Sequence, residues 1–420
     1  MSCRIFAASK ISFRATNNPR SRESYAALVI RLSFIFLLVW AGFVMSSTAA
    51  PPPALYVENG VLMKNGAPYV GVGVNYFDLF SRILARPDDS SSLTNLARLG
   101  KAGIPFVRFM CGGYWPSDQK IYLTNQAAFF ERLDSVVRAA EADGVGLIPS
   151  LFWFSATVPD LMGEHLDQLG NPDSKSIQFI RDYTTAMVRR YHDSPAIWGW
   201  EFGNEYTLDC DLPNAAEHRP PVVPELGTAM KRDERDQLRF ELLRVALQAF
   251  GQAVRNLDST RPIFTGNAVP RPSAWHHVHD KSWKSDSSSQ FGEILLRDNP
   301  DPADTITIHL YPEKSQIYPG GATSIDAFLQ LAAQFADKAK KPLFLGEFGS
   351  SRQTGSAKKQ LEDCRQFLDS IRKHRIPLAA FWVYDYPAQS SDFNVHFDGE
   401  NAVILEWIAR VNRERAAVGP

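Results

Sequence analysis

Cysteine is scarce in this chain of 420 residues, which contains four. Three of them, Cys111, Cys210 and Cys364, lie beyond the first fifty residues, and no two of these have the spacing of a metal-binding motif. The sequence therefore predicts no zinc or other metal site. An odd number of cysteines leaves at least one thiol unpaired unless two chains are cross-linked. Cys111 and Cys210 both follow predicted strands, so a disulfide between them and two separate thiols are both open.

An excess of positive charge, which marks most nucleic-acid-binding domains, is absent as well. The whole chain has 45 Lys and Arg against 46 Asp and Glu. Residues 1–50 hold six of the basic residues and one acidic residue, so the rest of the chain has 39 and 45 and a net charge of −6. That balance favours neither nucleic acid nor an anionic membrane as a partner. It permits a neutral polymer such as a polysaccharide.

The first fifty residues lack the ~20 consecutive apolar residues that a membrane-spanning helix needs. Arg31 interrupts their apolar segment, which leaves the uncharged stretch 34–45. Basic residues precede this stretch, and small residues and three prolines follow it. This order is typical of a secretory signal peptide, so we expect residues 1–50 to direct a secreted or periplasmic protein. An uncleaved membrane anchor is the alternative, and cleavage of the leader is left open.

Residues 51–420 are predicted to form one domain, because no linker or repeat divides them. Short apolar segments, typical of buried strands, recur at 69–75, 105–110, 145–152, 197–202, 262–266, 305–309, 342–346 and 379–383. Amphipathic segments with helical spacing lie at 93–102, 126–142, 176–191, 234–257, 325–338, 357–373 and 402–411, with a weaker one at 286–297. Eight strands that alternate with helices predict a (β/α)8 TIM barrel of the α/β class.

Four further segments are predicted to lie at the two ends of the barrel. Residues 55–70 contain two Asn-Gly turn dipeptides between short apolar pieces, which predicts a hairpin that caps the bottom of the barrel. Residues 207–232, 268–290 and 386–400 are predicted to be long loops at the rim, where functional loops are common. The second loop carries His276, His277 and His279. Because no spaced carboxylate completes a metal site with them, we predict that these histidines lie on the loop surface.

Two of the predicted strands lead into a glutamate, Glu205 and Glu347. The C-terminal ends of barrel strands are where this fold keeps its chemistry, so both carboxylates are predicted to face one pocket. A glycosidase that retains anomeric configuration needs two carboxyl groups about 5–5.5 Å apart, one as nucleophile and one as acid and base. The acid/base role also requires a raised pKa, which burial and a second carboxylate supply. The pair therefore predicts the hydrolysis of a glycosidic bond.

The motifs at successive strand ends resemble glycoside hydrolase family 5, the cellulase and β-mannanase family of retaining barrel enzymes. They are Asn204-Glu205 after the fourth strand, His309-Leu310-Tyr311 at the sixth, and Gly346-Glu347 at the seventh. The similarity extends over the whole domain because these motifs occur in order. The resemblance implies that Glu205 is the acid/base and that Glu347 is the nucleophile.

The resemblance also implies roles for the residues around the carboxylates. Asn204 would hydrogen-bond the sugar 2-hydroxyl, an interaction that strengthens in the transition state. Arg108 would hold the nucleophile ionised and oriented, and Tyr311 would donate a hydrogen bond to it. His309 would line the site beside the acid/base, and Trp382 would be the platform under the sugar at the cleavage point.

Two positions depart from the family pattern. The family often ends its third strand in a histidine, where this chain has residues 149–153 without one, and it often follows the acid/base with proline, where this chain has Tyr206. These departures leave the substrate open. Glu201 is interpreted as structural, whereas Trp115 and Trp153 fit either sugar subsites or ordinary packing.

The sequence thus predicts a retaining β-glycosidase that cleaves a polysaccharide, an endo-β-1,4-mannanase or an endo-β-1,4-glucanase. An exo-acting glycosidase or a transglycosylase on the same barrel is the first alternative, and a non-catalytic glycan-binding barrel is the second. We expect no metal or organic cofactor, because carboxylates supply the acid, base and nucleophile. The expected partner is the saccharide substrate, with no nucleic acid and no stable protein partner.

Overall fold

Eight parallel strands form the central sheet in the computed structural model, which describes residues 55–313 and 324–418. Their bounds are β4 Gly71–Asn75, β5 Phe106–Met110, β6 Gly146–Phe152, β7 Trp200–Gly203, β8 Ile263–Phe264, β9 Ile306–Leu310, β10 Leu343–Phe348 and β11 Leu378–Phe381. The strands follow one another around the sheet in chain order, and β11 pairs with β4. Backbone hydrogen bonds from Asp304 N to Ile263 O and from Val269 N to His309 O draw β8 and β9 together. The sheet is a nearly closed barrel, which confirms the predicted fold.

Helices cover the outside of the barrel. Those of the described residues are α1 Leu79–Ala85, α2 Ser91–Ala102, α3 Lys120–Thr124, α4 Gln126–Asp143, α5 Thr157–Met162, α6 Lys175–Tyr191, α7 Phe240–Arg255, α8 Ala274–His279, α9 Ser288–Arg297, α10 Ile325–Ala339, α11 Ala357–Lys373 and α12 Val403–Val418. In this part of the chain, no helix combines the length and the apolar character needed to cross a bilayer. The predicted leader, residues 1–50, lies outside the described residues.

One predicted helix begins later than its sequence pattern indicates. The segment 234–257 forms a 3-10 turn at Glu234–Asp236, and α7 starts only at Phe240. The Asp233 side chain accepts a hydrogen bond from Arg235 N, and the Asp236 side chain accepts one from Asp233 N. These local bonds satisfy backbone donors without a helix, as short acidic side chains often do.

A three-stranded antiparallel sheet lies at the N-terminal end of the barrel. It consists of β1 Tyr56–Glu58, β2 Val61–Lys64 and β3 Ala67–Pro68. Its two turns are the Asn-Gly pairs, and both residues of each pair have positive φ angles, as tight hairpin turns require. Leu55 and Leu62 pack into a cluster with Phe106, Trp198, Phe344 and other barrel residues. This apolar cluster fills the N-terminal half of the barrel.

The rim segment 268–290 differs from its prediction. It contains the helix α8, in which His276 and His277 are buried, so the predicted surface location is wrong for these two residues. The Asp286 carboxylate accepts hydrogen bonds from the backbone N–H groups of Trp275 and His276, and this contact holds the start of the helix. Burial lowers the pKa of His277 to about 4, so its ring is neutral.

The three cysteines of the described residues, Cys111, Cys210 and Cys364, are buried free thiols. Cys111 and Cys210 are therefore two separate thiols, which is one of the two possibilities that the sequence leaves open. Burial raises the pKa of each thiol. Buried neutral thiols are poor nucleophiles, so these residues contribute packing.

Candidate active site

Glu205 and Glu347 meet at the C-terminal end of the barrel. Glu347 lies within β10, and Glu205 follows β7. A carboxylate oxygen of one lies within 4.8 Å of a carboxylate oxygen of the other. The Glu347 side chain is 5% exposed and that of Glu205 is 26% exposed. One carboxyl group is therefore enclosed by the barrel, and the other is open to an incoming molecule.

The backbone at Glu205 has the left-handed conformation, with φ 55° and ψ 22°. This region costs a residue with a side chain roughly 1–2 kcal/mol, and such residues cluster at functional sites. The Glu205 N–H donates to Gly266 O at 2.8 Å, which holds the turn. Gly266 itself has φ +73°, and a Cβ there would lie 1.8 Å from Gly203 O. Only glycine fits at position 266, so the turn that aims Glu205 depends on it.

Arg108 organises the bottom of the site and is fully buried. Its Nη1 donates to Glu347 Oε1 at 2.8 Å and to Asn75 Oδ1 at 2.9 Å, and its Nη2 donates to Asn204 Oδ1 at 2.8 Å. Its Nε lies 2.7 and 2.9 Å from the two carboxylate oxygens of Glu201. Burial works against the charged form, but the Glu201 and Glu347 carboxylates outweigh it and raise the pKa of Arg108. The guanidinium is therefore a permanent cation, and each of its three nitrogens donates to a side chain of the site.

Tyr311 and His309 contact the carboxylates from β9 and the loop after it. The Tyr311 hydroxyl donates to Glu347 Oε2 at 2.6 Å. Burial and the adjacent Glu347 carboxylate raise the pKa of Tyr311, so the hydroxyl stays protonated and donates. His309 Nδ1 lies 3.1 Å from Glu205 Oε1 and 3.6 Å from Glu347 Oε1. A Cβ on Gly346 would come within 2.8 Å of the His309 ring, so a glycine beside Glu347 makes room for the imidazole.

Aromatic rings form the wall above Arg108. The Arg108 guanidinium lies 4.6 Å from the ring centre of Trp153, and Trp153 stacks on Trp382 with ring centres 6.2 Å apart. The Trp382 indole N–H donates to Gln389 Oε1 at 3.0 Å, which fixes the ring orientation. Phe77 packs against both tryptophans. The result is a rigid apolar surface beside the two carboxylates, of the kind that contacts the face of a sugar.

A cavity of about 440 Å³ connects these groups. The predicted residues Asn204, Glu205, Tyr311, Glu347 and Trp382 line it. Arg108 and His309 lie just beneath, in contact with Glu347 and Glu205. All seven residues predicted for the site are thus brought together.

Sequence reasoning missed Asn75 and Gln389, and it left Trp153 open between a sugar subsite and ordinary packing. Asn75 ends the first barrel strand, and its amide donates to Gly346 O at 2.9 Å. The strand-end rule that located Glu205 applies equally to Asn75. Trp153 takes the place after the third strand, and the hydroxyl of Tyr206 donates to Phe152 O at 2.7 Å. Gln389 lies in a rim loop with no pattern that points to the site.

The family model for cellulase, glycosyl hydrolase family 5, matches residues 88–386. The chain belongs to glycosyl hydrolase family 5. The match confirms the resemblance drawn from the strand-end motifs and includes most of the barrel. It contains both glutamates of the site, together with Arg108 and Trp382.

One curated protein and two solved structures resemble the chain to different extents. The "Probable mannan endo-1,4-beta-mannosidase F" of Aspergillus oryzae is 40% identical over 82 residues, which are 18% of this chain and 17% of that protein. The chain therefore matches less than a fifth of the length of this relative. The solved endo-1,4-β-mannanase of Rhizomucor miehei superimposes with a TM-score of 0.61 over 86% of this chain and 99% of its own, at 17% identity. An exo-β-1,4-mannosidase from an Opitutaceae bacterium gives 0.58 over 86% of this chain and 63% of its own, at 18% identity. At these identities the superpositions support the fold.

Two groups of side chains have the geometry to hold a cation among the described residues. One is Glu205, His309 and Glu347 themselves, where Arg108 already compensates the charge of Glu347. The other is His165, Asp233 and Asp236. Asp236 lies 3.6 Å from the Arg232 guanidinium and accepts a hydrogen bond from Asp233 N, so its oxygens are occupied within the protein.

Proposed function

We propose that the protein hydrolyses β-1,4-linked mannan with retention of anomeric configuration. The observation that carries this proposal is the approach of the Glu205 and Glu347 carboxylates to within 4.8 Å of each other at the C-terminal rim. This separation fits a double displacement, because inverting enzymes keep their carboxyl groups about 6.5–9.5 Å apart to admit a water molecule. Family 5 membership and the mannan-degrading relatives support the same reaction.

In the first step, Glu347 attacks the anomeric carbon and Glu205 donates a proton to the departing oxygen. Arg108 on Oε1 and Tyr311 on Oε2 fix the Glu347 carboxylate and favour its ionised form. The more exposed Glu205 faces the leaving group, which must be free to depart.

In the second step, Glu205 removes a proton from a water molecule that attacks the glycosyl-enzyme and releases Glu347. The Asn204 carbonyl oxygen is held by Arg108 Nη2, which turns the amide NH2 toward the cavity. That group would donate to the sugar 2-hydroxyl, an interaction that strengthens as the transition state forms. Trp382 and Trp153 would contact the sugar ring.

The shape of the cleft supports a polymeric substrate. A second cavity of about 610 Å³ adjoins the first and shares Phe77, Tyr114 and Tyr386 with it. Trp115 lines this second cavity. A cleft that continues beyond the carboxylates accommodates further sugar units of a chain.

A polysaccharide panel tests the proposal. The purified protein is incubated with mannan, cellulose, xylan and mixed-linkage glucan, reducing ends are measured, and product sizes are determined from a long mannan oligosaccharide. We expect release from mannan with mixed product lengths, and none by the Glu347→Ala variant. Release of single sugars only would indicate exo cleavage. Binding without release of reducing ends would support a non-catalytic barrel.

We further propose that residues 1–50 are a secretion signal and that residues 51–420 are the catalytic domain of an exported enzyme. The basic and then apolar order of the leader supports this proposal. Intact mass measurement of the protein recovered outside the cytoplasm tests it. A mature chain that begins near residue 50 is expected, and a full-length chain in the membrane fraction would indicate an anchor.

A further inference from the structure

Arg108 binds two carboxylates, and only one of them faces the substrate cavity. Glu347 lines the cavity, whereas Glu201 lies within β7 and is completely buried. The two acids approach different edges of the guanidinium, Glu201 at Nε and Glu347 at Nη1. Glu201 contacts the cation on which the nucleophile depends, and the mechanism above gives it no role.

We propose that Glu201 is a positioning residue that fixes the orientation of Arg108 and shares its charge, so that Glu347 remains free to attack the sugar. This inference rests on the proposed glycosidase function. Glu201 does not line the substrate cavity, and its direct contact with the nucleophile's surroundings is through Arg108.

The planar shape of the guanidinium explains how Glu201 orients Arg108. An arginine side chain prefers to bind one carboxylate with two parallel N–H groups, a strong and geometrically closed arrangement. Here the Nε edge is occupied by both oxygens of Glu201, at 2.7 and 2.9 Å. Asn75 accepts from Nη1 and Asn204 accepts from Nη2. Glu347 therefore receives a single N–H bond from Arg108, and its other oxygen is left to Tyr311.

Charged and titratable groups face Glu347 from several neighbouring strand ends. Arg108 on β5 is a full cation, His309 on β9 and Tyr311 just after it approach from one side, and Glu205 approaches from the turn after β7. Burial raises the pKa of Glu201, while Arg108 and His309 act in the opposite direction. Contact of both Glu201 oxygens with one N–H donor fits an ionised carboxylate. Its negative charge offsets part of the field of Arg108, which would otherwise stabilise ionised Glu347 too strongly for a good nucleophile.

The test compares Glu201→Gln with the wild-type protein through the pH dependence of kcat/KM on a mannan oligosaccharide. The amide keeps the size of the side chain and removes its charge, so Arg108 acts on Glu347 alone. We expect kcat/KM to fall roughly 10- to 100-fold and its acidic limb to move down by about one pH unit, as for removal of a neighbouring negative charge. An acidic limb at the wild-type pH would overturn the proposal, whatever the loss of rate.

Asp258→Asn is the matched control. Asp258 is another buried acid bound to an arginine, with 3.1 Å from its Oδ2 to Arg261 Nη1, and it lies outside the active-site cavity. We expect this variant to be less stable, with its pH profile unmoved. A downward shift of its acidic limb equal to that of Glu201→Gln would mean that the effect comes from a general loss of stability, and it would overturn the proposal.

Glu201→Asp provides a second variant should Glu201→Gln fail to fold. This variant keeps the negative charge but moves it away from Arg108 Nε by the length of one methylene group. We therefore expect a lower kcat and an unchanged KM, with the acidic limb of the pH profile near its wild-type position. A wild-type kcat would overturn the positioning role. An inactive wild-type protein would instead refute the proposed function, so the two failures are distinguishable.

Discussion

The carboxylates of Glu205 and Glu347 lie within 4.8 Å of each other, although they belong to β-strand ends three strands apart. The parallel barrel makes this possible because the C-terminal ends of all its strands open on one rim. The surroundings of the two groups differ. Arg108 and Tyr311 hold Glu347, whereas His309 is the neighbour of Glu205 at 3.1 Å. Two carboxyl groups in different environments can take different roles in one reaction.

Glu347→Ala is expected to remove hydrolysis while leaving the fold intact. Loss of a nucleophile lowers kcat on the order of 10⁶-fold, and Arg108 keeps Glu201 as a buried partner in the variant. Release of reducing ends from mannan, together with the circular dichroism spectrum, measures both effects. Full activity in the folded variant would refute the assignment of Glu347.

Glu205→Ala is expected to discriminate between substrates by their leaving groups. Loss of acid catalysis lowers kcat/KM on mannan by roughly 10²–10⁴-fold. The dinitrophenolate group of a dinitrophenyl glycoside departs without a proton, so kcat/KM on that substrate should fall far less. Parallel assays of the two substrates give the comparison. An equal loss of kcat/KM on both would argue against the acid role.

Tyr311→Phe is expected to slow the reaction through Glu347. The variant removes one hydrogen bond to a charged group, worth about 1.5–3 kcal/mol, which corresponds to a roughly 10- to 150-fold lower kcat/KM. Tyr191→Phe is the control, because its hydroxyl also donates to a carboxylate, that of Asp134, on the outer helices. An effect of the same size in the control would mean that the loss is not specific to the site.

Asp258→Asn is expected to destabilise the protein by about 3 kcal/mol at neutral pH, the typical loss for one partner of a buried pair. The carboxylate accepts from Trp200 Nε1 at 3.0 Å and from Arg261. Burial opposes ionisation, but these donors outweigh it and lower the pKa of Asp258 in the folded protein. Its contribution is therefore present above the unfolded value near pH 3.9 and is lost as pH falls through the folded pKa. Urea unfolding at pH 7 and pH 3 tests this, and an equal difference at both would contradict it.

The barrel could be predicted from the sequence because each strand is a short apolar run that stands between amphipathic helices. All eight predicted strands occur, with shifted ends. The fourth was predicted from residue 197 but begins at Trp200, since Ile197 makes only an isolated bridge to Leu147. Local pattern identifies an apolar run, whereas the partner strand decides how much of it is paired.

The catalytic pair could be predicted for the same reason, because a strand end fixes where a side chain points. The aromatic wall could not be predicted from the sequence. Trp153 fitted packing and sugar contact equally well, and only the fold shows that it covers Arg108 and stacks on Trp382. Gln389 comes from a rim loop, whose path depends on tertiary contacts. Glu201 was interpreted as structural, but its partner on another strand was not visible in the sequence.

The stereochemistry of the first product tests the central claim most directly. Proton NMR during the early hydrolysis of a β-1,4-mannan oligosaccharide resolves the anomer that is released before mutarotation. Carboxyl groups about 5 Å apart predict a double displacement, so the β-anomer should appear first. Initial appearance of the α-anomer would contradict the assignment of Glu347 as a nucleophile.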